Sequence, residues 1–405
     1  MWRQISPLAS ILSIVFIDLL GFGMIIPVLP LYAHRFHASE WQIGFLLASF
    51  SFMQFLGAPA LGWFSDHYGR RPVLLCSLIG SATGYVLMAA ATSLATLFLA
   101  RILAGVAGAS VGTVTAYIAD ITPPEKRSSR NALIGASYGI GLVVGPAIGG
   151  VLSQRSVIAP FWFAAILSML NAIWMWIVLR EPDRHAARQE GRFSLRQAFK
   201  QAGGWRLGIV MSTKFIGSAG LTIWVTIAPL VLVRRFGFNQ SNVSYVFVMI
   251  GLIGAAIQVG VFGRLAKRFG DVDLQFAGLA FTAITMLMMP FAGSVPLFLI
   301  FSAGFAVGNS LSLPIPGAIA SKGASAAMQG RVLGFLDSAG NLGRVLGPVL
   351  AGFLLSADHS GPNAQYGNSP FLACGVITAI GCGLTTKLQR PGPELIAPPP
   401  GLKDK

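Results

Sequence analysis

Residues 62–72 read Gly62-Trp63-Phe64-Ser65-Asp66-His67-Tyr68-Gly69-Arg70-Arg71-Pro72, a short polar break between apolar runs at 41–65 and 72–91. Gly69 suits a tight reversal, Pro72 suits the first turn of the next helix, and an acid beside two arginines can form a latch that changes partners. The spacing returns later: Gly62-x6-Gly69 recurs as Gly263-x6-Gly270, an offset of 201. Gly141-x3-Gly145-Pro146-x3-Gly150 likewise recurs as Gly343-x3-Gly347-Pro348-x3-Gly352, an offset of 202, and Pro27 and Pro229 also differ by 202. Agreeing offsets near half the chain length mark an internal duplication.

Working outward, each apolar run needs about 20 residues to cross a ~30 Å hydrocarbon core as a helix, because lipid offers no partner for free backbone groups. Twelve such runs lie at 8–33, 41–65, 72–91, 94–120, 131–153, 160–180, 206–233, 241–265, 273–292, 295–320, 332–356 and 370–386. Six spans per copy is an even number, so both copies share one orientation and are related by an axis along the membrane normal, with a natural substrate site between them. The expected fold class is therefore all-α integral membrane: twelve transmembrane helices in two pseudo-symmetric six-helix bundles, 1–180 and 206–386. A basic linker at 181–205 joins them and a tail at 387–405 follows. The linker carries Arg184, Arg188, Arg192, Arg196 and Lys200 at four-residue spacing, which fits a helix lying on the anionic inner membrane face and fits a solvated tether equally well.

Composition agrees. Of 405 residues, 54% are hydrophobic and 11% charged, against roughly a quarter charged in soluble domains, and the mean hydropathy is +0.69. The net charge of +15 invites a nucleic-acid reading; the positions of the charges remove it. With the N-terminus inside, the cytoplasmic segments and their flanking ends hold 22 of the 29 Lys and Arg, and the outer loops hold Arg35, Arg155, Arg234 and Arg235. That asymmetry places both termini in the cytoplasm, here of a cell inner membrane. The first span is expected to be retained rather than cleaved as a signal peptide, since it is long, contains Asp18 and lacks a small-residue cleavage site. Cys76, Cys374 and Cys382 fall in apolar spans as small packing residues, the five histidines fall in loops, and neither metal-ligand spacing nor a nucleophilic triad is present. No enzyme activity, metal or organic cofactor is expected.

The 62–72 loop resembles the major facilitator superfamily, whose pattern has Gly, then Asp four positions later, then Gly and paired basic residues; here His67 replaces the usual Arg or Lys. Three further segments resemble the drug:proton antiporter branch. They are Asp18-Leu19-Leu20-Gly21-Phe22-Gly23-Met24-Ile25-Ile26-Pro27-Val28-Leu29-Pro30, the run Arg101-x3-Gly105-x2-Gly108, and the segment from Gly141 to Gly150, which is similar to that branch's antiporter motif. The resemblance implies a proton gradient as the coupling source, a bendable fifth span that controls leak through Gly141, Gly145, Pro146, Gly149 and Gly150, and coupling roles for Asp18 and Arg101. Close packing alone also accounts for the same glycines. Among branch members, the tetracycline/proton antiporters carry an acid at the position aligned with Gly84, and some carry a histidine near Gly254. Both are absent here, which argues against inheriting tetracycline as the substrate.

Charge inside the spans is informative in itself, because a charged side chain at the bilayer centre costs ~3 kcal/mol even on the lenient scale. Asp18 lies ~15 Å from the inner face and Arg101 ~10 Å from the outer face, depths compatible with contact. A carboxylate beside Arg stays ionised and one that loses its partner takes a proton, so the pair reads either as a proton switch or as a static buried pair. In span eleven Asp337, Asn341 and Arg344 share a helical face and either line a cavity or neutralise one another, and Asp337 is a further candidate, with Asp18 and Arg101, for the proton-coupling site. Lys214 either lines the same space or snorkels inward; Gln258 and Trp224 are further cavity candidates. Phe50, Phe52, Phe55, Trp174, Trp176 and Trp224 form an aromatic drug pocket or pack at interfaces. A cytoplasmic gate is expected from Gly62, Asp66, Gly69, Arg70, Arg71, Asp120, Arg127 and Arg130. The expected function is a secondary active transporter, acting as a monomer in the lipid bilayer on a small molecule and protons, with a proton-coupled exporter ahead of an importer or facilitator, and a non-transporting receptor last.

Overall fold

Because lipid leaves a spanning backbone no partner but itself, the apolar runs form helices throughout the described residues. The computed structural model describes residues 7–122, 124–182, 204–323, 329–359 and 366–388. The elements are α1 (Pro7–Ile25), α2 (Leu29–His34), α3 (Glu40–Tyr68), α4 (Arg70–Ala89), α5 (Leu94–Ala107), α6 (Val111–Asp120), α7 (Pro124–Ser153), α8 (Ala159–Val178), α9 (Trp205–Phe236), α10 (Gln240–Ala256), α11 (Phe262–Phe269), α12 (Asp271–Met288), α13 (Val295–Ser312), α14 (Ile315–Gly323), α15 (Gln329–His359) and α16 (Asn368–Thr386). Eleven helical runs among the described residues are long and apolar enough to cross a membrane. The remaining expected span, 131–153, lies within α7, whose described apolar part is Val143–Ser153. Most of the linker and tail lie outside the described residues, as does the side chain of Arg127.

Several spans are broken where the sequence explains it. Pro27 cannot donate to a helical carbonyl, and the first span stops at Ile25 and resumes at Leu29; its repeat counterpart Pro229 sits inside the unbroken α9. A 3-10 turn at Gly108–Ser110 separates α5 from α6, and a π turn at Ile257–Val261 separates α10 from α11. The loop expected at 66–71 is shorter still. Helix α3 continues through Tyr68 and α4 begins at Arg70, leaving Gly69 alone at φ +111°. The second copy turns in the same way at Gly270, φ +81°. His67 thereby belongs to the last turn of α3 and His34 to the end of α2, rather than to loops.

The chain forms two units: Met1–Ala187 with Val225–Ala255 and Pro348–Ser369, and Arg188–Trp224 with Ala256–Gly347 and Pro370–Lys405. In the first, Ile11, Leu19, Leu78, Tyr117 and Met175 belong to one buried cluster. There α7 lies against α1 so closely that a Cβ at Gly145 would stand 2.8 Å from the backbone of Gly23, and one at Gly149 would stand 2.7 Å from the Met24 carbonyl. In the second unit Leu207, Val210, Val332 and Leu336 are buried together, and Gly343 and Gly347 of α15 face Phe215, Ala219 and Thr222 of α9. Small residues permit the same close helix approach in both copies.

Candidate functional site

One buried charge of the first unit is Arg101, 5% exposed on α5. Its guanidinium sits 4.4 Å over the ring of Phe50, which in turn stacks on Phe22 at 5.1 Å, so an aromatic face supplies part of what water would. Its Nε has no hydrogen-bond partner among the described residues. No ion pair within 4 Å joins Arg101 to Asp18. Tyr85 of α4 is buried and lies within electrostatic range of both. It gains its place from Gly21, one turn beyond Asp18, where a Cβ would lie 3.5 Å from the Tyr85 ring and 3.7 Å from its hydroxyl. Next to it, a Cβ at Gly84 would stand 3.0 Å from Ala104 Cβ and 3.2 Å from the Ala100 carbonyl. Any side chain at that position requires α5 to give by a few tenths of an ångström. Gly141 of α7 packs against Leu19, the residue after Asp18, so the glycine-rich segment abuts the same part of α1.

At the reversal between α3 and α4, where the cytoplasmic gate is expected, Arg70 gathers three acceptors. Its Nη1 donates to Asp66 Oδ1 and to Ser65 Oγ, each at 2.6 Å, and its Nε donates to Asp120 Oδ2 at 3.1 Å. This joins the ends of α3 and α6 to the start of α4. Arg71 instead donates to the Trp176 carbonyl of α8, and Arg130 donates to Thr122 Oγ1 at 3.0 Å. Gly62 has open space around it. Glu181 completes the arrangement: its carboxylate accepts from the backbone N–H of Arg70 at 2.6 Å and of Arg71 at 2.8 Å. It thus caps the first turn of α4, and a Cβ at Gly69 would stand 2.8 Å from its Oε1.

A second cluster joins the sequence halves within the first unit. Glu40, at the first turn of α3 and 5% exposed, accepts from the Tyr366 hydroxyl at 3.3 Å and lies 3.9 Å from Arg234 Nη1. Arg234 also sits 4.1 Å over the Tyr366 ring. Burial, and then the charge of Glu40, push the Tyr366 hydroxyl pKa up, which keeps the proton it donates. Glu40, Arg234, Tyr366 and His34 border a cavity of about 100 Å³. Nearby, Ser153 and Ser241 lie 3.3 Å apart and Gln154 donates to Tyr245 at 3.0 Å. These contacts pair one end of span two with span seven and one end of span five with span eight.

In the second unit, Asp337 is exposed and Lys214 and Arg344 are half-buried, while Arg344 donates to Asn341 Oδ1. Gln258 lies in the π turn between α10 and α11. Trp224 is 1% exposed and stacks on Phe305 at 5.4 Å, a packing position rather than a cavity wall. Phe50 is committed to Arg101, whereas Phe52, Phe55 and Trp176 are exposed.

Comparison with known proteins identifies the family. The family model of the Major Facilitator Superfamily matches residues 11–273 and 259–403. The tetracycline resistance protein, class C, of Escherichia coli is 32% identical over 369 residues, covering 88% of this chain and 91% of that protein. Multidrug resistance protein 1 of Bacillus subtilis is 30% identical over 386 residues, covering 95% and 96%. Among solved structures, a bacterial homolog of the human lysosomal transporter Spinster superposes with a TM-score of 0.79 at 16% identity, covering 97% of this chain and 98% of that one. The chain belongs to the major facilitator superfamily, among its drug-efflux members.

Proposed function

We propose that this chain is a proton-coupled antiporter that exports small amphipathic molecules or drugs across the cell inner membrane by alternating access. It acts as a monomer with both termini cytoplasmic, and its repeats 1–180 and 206–386 are the bodies that rock. The observation that carries the reading is the buried Arg101, which like Asp18 lies within electrostatic range of Tyr85. A cation at membrane depth is costly unless it serves a pathway, and a carboxylate whose distance to that cation varies through the cycle binds and releases a proton.

Asp18 carries the coupling proton, Arg101 sets its affinity, and the Tyr85 hydroxyl reports the state of one to the other. Arg70 with Asp66 and Asp120 stabilises one state of the inner gate, and Glu40 with Arg234 and Tyr366 one state of the outer gate. The relatives are named for tetracycline resistance and for multidrug resistance; glycine at position 84, in place of the acid of the tetracycline antiporters, favours the broader substrate range. Uptake of a fluorescent drug into inverted vesicles with an imposed pH gradient tests the reading. Accumulation that collapses with the gradient is expected, and movement down the drug's own gradient without proton flux would establish a facilitator instead.

A further inference from the structure

Three charged side chains of the second unit take no part in the coupling described above: Lys214 on α9, and Asp337 and Arg344 on α15. All lie at membrane depth. At about 100° per residue, Asp337, Asn341 and Arg344 fall within a narrow arc of α15, while Leu342 and Leu346 lie on the far side of the helix. Those two leucines are exposed apolar side chains and mark the lipid face. Gly340, Gly343 and Gly347 occupy a third face, packed on α9. On this side of α15 Asp337 is exposed and Asn341 and Arg344 are half-buried, and only further along, at Pro348 and Gly352, does the same side close against α3; the charged stretch is thus turned away from α9 and partly open.

Lys214 is aimed at that face by a missing side chain. Its Cε and Cγ lie 3.3 and 3.6 Å from where a Cβ of Gly340 would stand, so the aliphatic stem crosses α15 at the glycine and carries the ammonium toward the charged arc. Lys214 and Arg344 both lie within electrostatic reach of Asp337, yet no ion pair within 4 Å forms between them among the described residues. Two cations share one anion, the ammonium has no protein acceptor among the described residues, and one positive charge is left over.

We propose that Lys214 and Arg344 form a subsite for the anionic group, a carboxylate or sulfonate, of an amphipathic organic anion, with Asp337 competing for the same two cations. Guanidinium and ammonium donors give such a group charge-assisted hydrogen bonds. The inference rests on the chain being a small-molecule transporter and names one substrate class for it.

Fluorescence anisotropy of the purified full chain in maltoside detergent tests it, using fluorescein and rhodamine 6G, which share a xanthene ring and differ in charge. Wild type is expected to bind fluorescein, with Lys214→Gln and Arg344→Gln each weakening it about tenfold and leaving rhodamine 6G unchanged, and Asp337→Asn tightening fluorescein severalfold. Unchanged fluorescein affinity in the two cation variants, equal losses for both dyes, or no fluorescein binding by wild type each overturns the subsite. So does displacement of fluorescein by stoichiometric phosphatidylglycerol, which reassigns the cations to a lipid headgroup. No gradient is present in this assay, so failure of proton-driven uptake with anisotropy intact counts against the antiporter reading alone.

Discussion

At Gly69 and at Gly270 the chain reverses through closely similar backbone geometry, φ +111° and +81° with ψ 157° and 162°, and around these two turns the charges are exchanged. Asp66, Arg70 and Asp120 of the first copy correspond by the repeat offsets to Lys267, Asp271 and Lys322 of the second. Arg70 holds Asp66 and Asp120, and in the equivalent place Lys322 donates to Asp271 at 2.6 Å. Their settings differ. Arg70 is 18% exposed with three side-chain acceptors, whereas Lys322 is 71% exposed in a single pair. Helix α12 begins with Asp271 and Asp273, the sign a helix N-terminus favours, but α4 begins with Arg70 and Arg71, the sign it disfavours. Glu181 supplies the missing negative charge from outside the repeat. Duplication has kept the turn, and the first copy carries a multiply bonded latch around a half-buried Arg70 where the second carries one exposed pair among the described residues.

The largest effect of breaking this comparison is expected at the turns themselves. Both glycines occupy a backbone region closed to other residues, so alanine at either costs about 1–3 kcal/mol, but Gly69→Ala also drives a Cβ into Glu181 while Gly270→Ala meets nothing within 4 Å. Denaturation of the two purified variants should show the first clearly less stable; equal losses would remove Glu181 from the account. Next in size, Asp66→Asn and Arg70→Gln should each lower transport about tenfold or more, an energy near 1.4 kcal/mol, with insertion intact. Lys322→Gln, an exposed pair worth about 0–1 kcal/mol, should stay within a few-fold of wild type. Transport rates at matched membrane abundance decide this, and wild-type rates for Asp66→Asn would reduce the first copy to a topological turn. The smallest contrast is at the helix starts, where Glu181→Gln should destabilise by about 1 kcal/mol and Asp273→Asn by less. Reversed ranking in a thermal-shift series would show that the cap is not what orders α4.

What the sequence made legible was whatever repeats or is local. The offsets of 201 and 202, the apolar run lengths and the basic loops carried the fold, and Gly69 announced its turn. Glu181 was not legible, since it lies 110 residues from the amides it caps and reads as the start of a charged linker. Tyr85 was hidden for another reason: an aromatic in an apolar helix normally reads as packing, and only Gly21 on a different helix makes room for it. Glu40, Arg234 and Tyr366 stand far apart in the chain, so their meeting depends on helix packing that no local pattern encodes. Depth along the spans placed Asp18 near Arg101 but could not foresee that a tyrosine would lie within electrostatic range of both.

Proton coupling in this mechanism depends on the Asp18 carboxylate. Asp18→Asn holds the site permanently in its neutral form, so the variant should fold, bind substrate and exchange it across the membrane, yet fail to accumulate it against a gradient. The direct measurement is pH-driven drug uptake into inverted vesicles for Asp18→Asn and Asp337→Asn separately, at equal protein abundance. Abolished accumulation with retained exchange in the Asp18 variant is the predicted result; full gradient-driven uptake by that variant, whatever Asp337→Asn does, would contradict the mechanism.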